Sequence, residues 1–222
     1  MLMVALPNLG SAQVLKKTKY FNYQLNVGIN HTNLLNYYEN FELSSIEEYM
    51  KSNRDGLSFH SEAQLFYLNR IGLGLRYDYF ANTGNKGIIN LAEPNNPIYA
   101  NYKHSIFLHT ISPSLLVKTP IIDDKLAILF RIGLDINDYR SPYTVDTDEF
   151  EMLANQNGYN VGLSTILEIS KHFELGINTL YRAALLNNAE LYKNGQVSTI
   201  DLSGNDRINL NRISIGVSLG MK

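Results

Sequence analysis

The feature of this sequence that most restricts its fold is a strict alternation of apolar and polar residues. In residues 21–30, every odd-numbered residue is apolar and every even-numbered residue is polar or glycine. A β-strand produces this period of two because successive side chains point to opposite faces of the sheet. The pattern predicts a strand that has one apolar face and one polar face.

The same alternation recurs along the chain and predicts eight strands in all. The other seven cover residues 59–68, 70–79, 105–118, 128–137, 159–170, 173–185 and 213–221. In the third of these, the phase of the pattern blurs at residues 109–111, which predicts a β-bulge there. Ile208 and Leu210 are out of phase with the residues from Ile213 onward, so the last strand is predicted either to carry a bulge or to begin late.

The connections between the predicted strands alternate between short and long. Short connections cover residues 68–70, 119–124 and 170–172, and long ones cover residues 31–58, 80–104, 138–158 and 187–206. This order predicts an antiparallel up-and-down meander with four long loops at one end. Loops of more than about 15 residues are uncommon in compact domains, whereas membrane barrels combine short turns on one side with long loops on the other.

The polar face of the predicted strands combines glycines with long charged side chains. Glycine weakens a water-exposed strand, but inside a narrow barrel it leaves room for a long side chain opposite. The glycines are Gly28, Gly72, Gly74, Gly133, Gly162, Gly176 and Gly216. The charged residues, predicted to form an ion-pair network in the lumen, are Glu62, Arg76, Asp78, Arg131, Asp135, Glu168, Glu174, Arg182 and Arg212. Because eight strands enclose only enough space for side chains, a plugged lumen is predicted rather than a diffusion pore.

On the apolar face, the type of residue changes with its position along the predicted barrel axis. Aromatic residues predicted near the short-turn rim are Phe21, Tyr23, Tyr67 and Phe173, and those predicted near the long-loop rim are Phe59, Tyr77, Tyr79, Tyr159 and Tyr181. Aliphatic residues lie between them. Two aromatic belts around an aliphatic middle are typical of a wall that crosses a lipid bilayer. A closed eight-stranded transmembrane β-barrel is therefore predicted, with a soluble lipocalin-like barrel as the alternative.

Composition excludes several other classes. A chain of 222 residues forms one domain or two small ones. The sequence has no stretch of about 18 apolar residues, so no transmembrane helix is predicted. A net charge of -2 does not provide the basic surface that nucleic-acid binding needs. The absence of cysteine excludes disulfides, Cys-ligated zinc and a thiol nucleophile.

The first residues resemble the end of an export signal. A short apolar run is followed by small residues at Gly10 and Ala12, which suit the -3 and -1 positions of a signal peptidase site. The basic segment expected upstream is missing, which suggests a true start before Met1. Residues 1–12 are therefore predicted to be a signal peptide, and residues 13–222 a single barrel domain.

Over about residues 18–222, the chain resembles the small eight-stranded outer-membrane barrels of Gram-negative bacteria, namely the OmpA-type transmembrane domain and the porin-family barrels. Residues 62–69, which lead into residues 72–77, are similar to their second hairpin. The resemblance implies an outer-membrane location and contact with lipid and lipopolysaccharide. This sequence departs from the family at its last residues, which are Met221 and Lys222, whereas members of the family usually end in an aromatic residue.

No motif indicates an enzyme, a cofactor or a metal site. Lipid A deacylases of this shape use a His-x-Ser pair, and none of the five histidines has a serine two residues later. His60 and Glu62 share the polar face, where they form either an acid–base pair or part of the lumen filling. His104 is predicted to lie on the surface beside a long loop. Omptin-type proteases need carboxylates at the outer rim, whereas the adjacent pair at residues 123–124 lies in a short turn.

Two loop segments have helix-like signals. Residues 146–151 are acidic enough to attract cations but lack the spacing of an EF-hand loop. A short helix capped by Thr147 is predicted for them. Ser45 and Glu48 have capping-box spacing, which predicts one or two helical turns in the first long loop.

The predicted function is non-catalytic, namely binding, adhesion or envelope organisation through the long outer loops and the lipid-facing wall. Membership of a larger outer-membrane secretion or uptake complex is the alternative. A small pore and a lipid-modifying enzyme are further alternatives that fewer features favour.

Overall fold

The structure is a computed structural model that describes residues 21–35, 54–68, 70–84, 87–90, 99–122, 125–202 and 208–222. Thirteen β-strands lie in these ranges: β1 (Phe21–Leu34), β2 (Asp55–Tyr67), β3 (Ile71–Thr83), β4 (Gly87–Asn90), β5 (Tyr99–Ile122), β6 (Leu126–Val145), β7 (Asp148–Glu168), β8 (Phe173–Ala183), β9 (Leu185–Leu186), β10 (Asn188–Lys193), β11 (Gln196–Asp201), β12 (Ile208–Asn209) and β13 (Arg212–Met221). No helix in the described ranges is long and apolar enough to span a bilayer. The predicted signal peptide, the predicted helical turn at residues 45–48 and the acidic pair at residues 123–124 lie outside the described residues.

Eight of the strands form a closed ring. Around the ring the order is β1, β2, β3, β5, β6, β7, β8 and β13, and every neighbouring pair is antiparallel. The ring closes because β13 also pairs with β1, from Leu25 opposite Met221 to Leu34 opposite Arg212. The predicted eight-stranded antiparallel up-and-down barrel is confirmed.

The register of the ring fixes the tilt of the strands. A path of directly paired residues that starts at Gln24 on β1 crosses all eight strands and returns to β1 at Leu34, ten residues from its start. Such a stagger requires the strands of an eight-stranded barrel to lean about 35–45° from the barrel axis. At this size the interior is just wide enough to be filled by side chains.

The two faces of the strands lie on the predicted sides of the wall. Leu25, Leu73 and Ile132 are 56%, 59% and 60% exposed on the outside, whereas Arg76 and Asp135 are only 3% and 1% exposed in the interior. A water-soluble barrel would need the opposite arrangement. An aliphatic surface of this extent is covered by lipid in a transmembrane barrel.

The aromatic residues mark the two edges of the aliphatic band. At the short-turn rim, Phe21 and Tyr67 are directly paired and their rings lie 5.6 Å apart. At the opposite rim, Phe59, Tyr77 and Tyr159 are exposed. The remaining aromatic residues of the two predicted belts also lie on the outer face: Tyr23, Phe173, Tyr79 and Tyr181.

The predicted long loop at residues 138–158 is wrong. There β6 continues to Val145 and β7 begins at Asp148, with only Asp146 and Thr147 between them. Asp146 has a φ of 52°, which suits a tight turn. The predicted helix capped by Thr147 is therefore also wrong. The alternation of apolar and polar residues ends too early to mark the strand ends, because these strands continue above the bilayer, where outward-facing positions become polar.

The predicted long connection at residues 187–206 is present, since β8 ends at Ala183 and β13 begins only at Arg212, but much of it is structured. Residues 188–201 form the β10–β11 hairpin, which pairs through β10 with the outer part of β7. Its turn consists of Asn194 and Gly195, both with positive φ (49° and 79°). An Asn-Gly pair is the preferred sequence of a two-residue hairpin turn, so a signal for this hairpin is present in the sequence.

The irregularities of the ladder differ from those predicted. The register of β5 is constant through residues 109–111, so the predicted bulge there is wrong. The register shift lies instead between Pro120 and Ile122, and the β5–β6 pairing is interrupted at Pro113 and Pro142, where proline has no N–H to donate. The last barrel strand begins late, at Arg212, as one of the two predicted alternatives states.

Replacement of an outward residue tests which solvent covers the wall. Leu73→Arg is expected to lower the free energy of unfolding by about 2–4 kcal/mol, because it places a charge in the apolar band. Val197→Arg is the matched control, since Val197 is 56% exposed but lies on β11 outside the ring, and it is expected to have almost no effect. Urea unfolding in lipid vesicles measures both, and equal losses would contradict the membrane-spanning assignment.

Candidate functional site

The lumen holds most of the charged side chains assigned to it from the sequence. Eight of the nine are buried: Glu62, Arg76, Asp78, Arg131, Asp135, Glu174, Arg182 and Arg212. The ninth, Glu168, departs from the prediction, because its side chain is 29% exposed and pairs at 2.9 Å with Lys222. It is the last residue of β7, where the strand leaves the lumen for the short-turn rim.

One ion-pair cluster lies at the level of the outer aromatic belt. Asp78 accepts hydrogen bonds from both Arg76 (Nε to Oδ2, 2.7 Å; Nη2 to Oδ1, 2.9 Å) and Arg182. The Nε atom of Arg182 is also 3.2 Å from Oδ2 of Asp135. Asp135 accepts two hydrogen bonds at Oδ1, from the Ser112 hydroxyl and the Asn160 side-chain amide. Such dense pairing is what charges removed from water require.

Arg212 completes this cluster without a carboxylate partner among the described residues. Its guanidinium donates to the Leu210 carbonyl (3.3 Å), the Thr110 hydroxyl (2.8 Å) and the Asn137 side-chain oxygen (3.2 Å). The cluster thus contains three arginines and two aspartates. Neutral oxygen atoms therefore accept three hydrogen bonds from the third guanidinium.

A second ion pair lies nearer the short turns. Arg131 Nη2 is 2.5 Å from Glu62 Oε2, and both side chains are buried. Beside them is a cavity of about 10 Å³, which is about the space that one water molecule needs. Three buried atoms of its lining residues lack a hydrogen-bond partner in the described part of the chain: Glu62 Oε1, Gln64 Oε1 and Asn178 Nδ2.

Glycine makes room for a histidine in this part of the lumen. A Cβ atom at Gly28 would lie 2.4 Å from Cε1 of His60, so only glycine fits opposite that ring. The Nδ1 atom of His60 is 3.1 Å from the Asn30 amide. His60 and Glu62 both lie in the interior, where their contacts are those of packed lumen residues.

Above the charged cluster, an apolar cap closes the outer end of the barrel, a feature that the sequence reasoning missed. Its buried members are Leu34, Phe80, Ile89, Ala100, Tyr102, Ile106, Leu108, Tyr139, Ala154, Ala184, Leu186, Ala189, Leu202, Ile208 and Leu210. They come from inward positions of the barrel strands, from Ile89 on β4 and from the β8–β13 connection, where β9 pairs with β12. The out-of-phase Ile208 and Leu210 are a signal of this cap in the sequence.

His104 lies in this cap, so its predicted surface position is wrong. The side chain is only 3% exposed, and Nε2 is 2.5 Å from the Ser141 hydroxyl. Burial lowers the pKa of His104 from 6.5 to about 4, because a charged imidazole would be poorly solvated there. His104 is therefore neutral at physiological pH.

Outside the bilayer, the wall of β5, β6 and β7 continues as a sheet. β4 joins it on one side, and the β10–β11 hairpin extends it on the other, so the order is β4-β5-β6-β7-β10-β11. Two ion pairs join its strands, between Arg140 and Glu151 and, at 3.1 Å, between Lys193 and Asp148. Across the ranges that the structure covers, no cluster of three or more His, Asp or Glu residues could hold a metal ion.

Comparison with known proteins finds relatives in structure only. No protein-family model matches the chain, and no curated protein matches it in sequence. Neisserial surface protein A is 12% identical, with a TM-score of 0.53 over 91% of this chain and 98% of that one. A major outer membrane protein from Thermus thermophilus is 10% identical (TM-score 0.56; 90% and 99% covered), and the outer membrane protease OmpT from Escherichia coli is 8% identical (TM-score 0.53; 95% and 99% covered). At these identities the similarity is one of fold.

The Glu62–Arg131 pair can be tested by a double-variant cycle. Arg131→Met leaves the buried Glu62 carboxylate without its cation and is expected to cost about 3–5 kcal/mol of unfolding free energy. The double variant Glu62→Gln, Arg131→Met removes both charges and is expected to recover most of that loss. Urea unfolding in vesicles measures the cycle. If the double variant is no more stable than Arg131→Met, the unpaired charge of Glu62 is not the cause of the lost unfolding free energy.

The cap is expected to lose stability in acid because of His104. The folded-state pKa of about 4 lies below the ordinary 6.5, so between these values only the opened state binds the proton. The free energy of opening the cap should therefore fall by about 2–3 kcal/mol between pH 7 and pH 4.5. Hydrogen exchange of cap amides, corrected for intrinsic rates, measures this change. In the control variant His104→Gln the fall should be absent, and an equal fall in both proteins would contradict the role of His104.

Proposed function

We propose that this chain is an integral outer-membrane protein that acts without catalysis, by binding a partner through the sheet that it raises above the bilayer. The proposal is supported by the lipid-type outer wall, by the similarity in fold to outer-membrane barrels, and by the arrangement of short turns at one end and a projecting sheet at the other. Contact with outer-membrane lipid and lipopolysaccharide follows from the same location. The narrower resemblance to OmpA-type and porin-family barrels stays a prediction.

The observation that carries the binding role is the free edge of the projecting sheet. β11 is the last strand of the sheet, and among the described strands it pairs only with β10. In a hairpin with a two-residue turn, the residues flanking the turn, Lys193 and Gln196, exchange both hydrogen bonds. Alternate residues then point their backbone groups away from β10, and these include Val197 and Thr199.

This edge has little protection against pairing with another chain. Natural edge strands are usually blocked by lysine, proline or a bulge. β11 contains none of these, and its register with β10 is regular over all six residues. Val197, Thr199 and Ile200 are β-branched, which favours strand pairing. An extended segment of another polypeptide is the occupant that such an edge accommodates.

The filling of the lumen supports binding rather than transport. The apolar cap covers the outer end, and the ion pairs fill the space beneath it. Planar-bilayer recordings are therefore expected to lack stable openings of nanosiemens size. Membership of a larger outer-membrane complex would use the same edge, with a permanent partner in place of a transient one.

The edge is tested by cross-linking in intact cells from a photoreactive amino acid at position 199. Val197→Pro removes one outward N–H of β11 without breaking its ladder with β10, because Val197 lies opposite Tyr192 at a non-hydrogen-bonded position. The yield of a cross-linked product at position 199 is expected to fall roughly tenfold, the effect of losing about one main-chain hydrogen bond.

Val197→Thr is the matched control, since it keeps the N–H and the β-branched shape, and it should leave the yield unchanged. A photoreactive group at Lys103, on the interior strand β5 of the same sheet, reports contacts that do not need an edge. Cross-linking that Val197→Pro leaves intact, or that is equally strong at position 103, would refute edge binding.

A further inference from the structure

His109 occupies an unusual position on the outside of the barrel. It lies on β5 directly opposite Tyr79 of β3, and Tyr79 belongs to the outer aromatic belt. The ring is half-buried on the lipid-facing side of the wall. Ionisable side chains on a membrane-facing surface are rare and usually have a function.

Two tyrosines hold the imidazole in place. The Tyr77 hydroxyl lies 2.7 Å from Nδ1 of His109, and the Tyr79 ring centroid lies 4.9 Å from that of His109. When the Tyr77 hydroxyl donates to Nδ1, the proton of the neutral ring resides on Nε2. The Tyr77 hydroxyl occupies Nδ1, so Nε2 is the ring nitrogen that is left for a hydrogen bond to a ligand.

The polar surface continues from His109 across the next two strands. Asp138 of β6 is the direct partner of His109, and Asn155 of β7 is the direct partner of Asp138. Both side chains are exposed. Directly paired side chains on one face have Cβ atoms about 4.5–5.5 Å apart. The row therefore joins a tyrosine ring, an imidazole, a carboxylate and an amide on one outward-facing surface.

We propose that this row, consisting of Tyr79, His109, Asp138 and Asn155, binds the saccharide headgroup of a glycolipid in the outer leaflet. The proposal rests on the outer-membrane location given above. The row begins in the outer aromatic belt, at the depth of lipid headgroups, and the lean of the strands carries it outward from there towards Asn155. A carboxylate accepts hydrogen bonds from sugar hydroxyls, an imidazole and an amide donate to them, and an aromatic ring packs against the apolar face of a sugar. The carboxylate of Asp138 disfavours a phosphate at the same position, since like charges repel.

The experiment uses two detergents of equal chain length as headgroup probes. The full chain, labelled at its histidines, is refolded in micelles of an amine-oxide detergent and titrated with dodecyl maltoside or with dodecylphosphocholine. NMR follows the ring Cε1–H signals. The His109 signal is expected to shift and saturate with dodecyl maltoside and to respond little to dodecylphosphocholine.

His31 is an internal control, because it too is exposed on the outer face of β1 and lies 3.5 Å from Asp55, outside the proposed row. Its signal should respond equally weakly to both detergents. Equal shifts of His31 and His109, or equal responses of His109 to the two headgroups, would overturn the proposal in favour of general detergent contact.

Two variants connect the shift to the row. Asp138→Asn removes the strongest acceptor, and Tyr77→Phe removes the hydrogen bond that orients the imidazole while keeping the ring. Each is expected to weaken the apparent affinity of the His109 site for dodecyl maltoside about three- to tenfold. Heat-modified mobility in gel electrophoresis checks that each variant is folded. Unchanged affinity in both folded variants would also overturn the proposal, and it would leave the edge of β11 and its cross-linking test unaffected.

Discussion

Pairing of charges inside a narrow, lipid-surrounded barrel is the constraint on which the rest of this structure depends. The outer wall is apolar, so the polar residues of every barrel strand must be satisfied in the interior. Asp78 accepts hydrogen bonds from two arginines, and Arg131 pairs with Glu62. Removing one partner leaves a buried charge that neither water nor lipid can stabilise. The same constraint accounts for Gly28, because a Cβ atom at this position would collide with the ring of His60.

Much of the barrel could be predicted from the sequence because the bilayer imposes a simple pattern. Between the two aromatic belts, each strand separates lipid from lumen, and the alternation in residues 21–30 reflects that separation directly. Above the outer belt the pattern changes, since Asp138 and Arg140 face outward while Tyr139 between them is completely buried. Polarity alone predicts that β6 ends at residue 137, although the strand continues to Val145.

The candidate sites could be predicted only in part, for a related reason. The charged lumen residues follow from strand phase, which is a local property of the sequence. The apolar cap combines residues from distant parts of the chain, such as Leu34 and Leu210, and His104 is buried only because those residues cover it. The row at His109 depends on register across β3, β5, β6 and β7. A register that must hold across several strands has no signature in a single sequence, whereas the Asn194-Gly195 turn does.

The stagger of the barrel has a consequence for how the projecting sheet is presented to its surroundings. Strands that lean about 35–45° move sideways nearly as far as they rise. The tip of the β6–β7 hairpin is therefore displaced around the circumference from its base instead of standing directly above it. The projecting sheet therefore extends to one side of the barrel, in a direction that is fixed relative to the barrel itself. When the barrel rotates about the membrane normal, the projecting sheet therefore reaches different neighbouring molecules, even if the barrel does not move sideways.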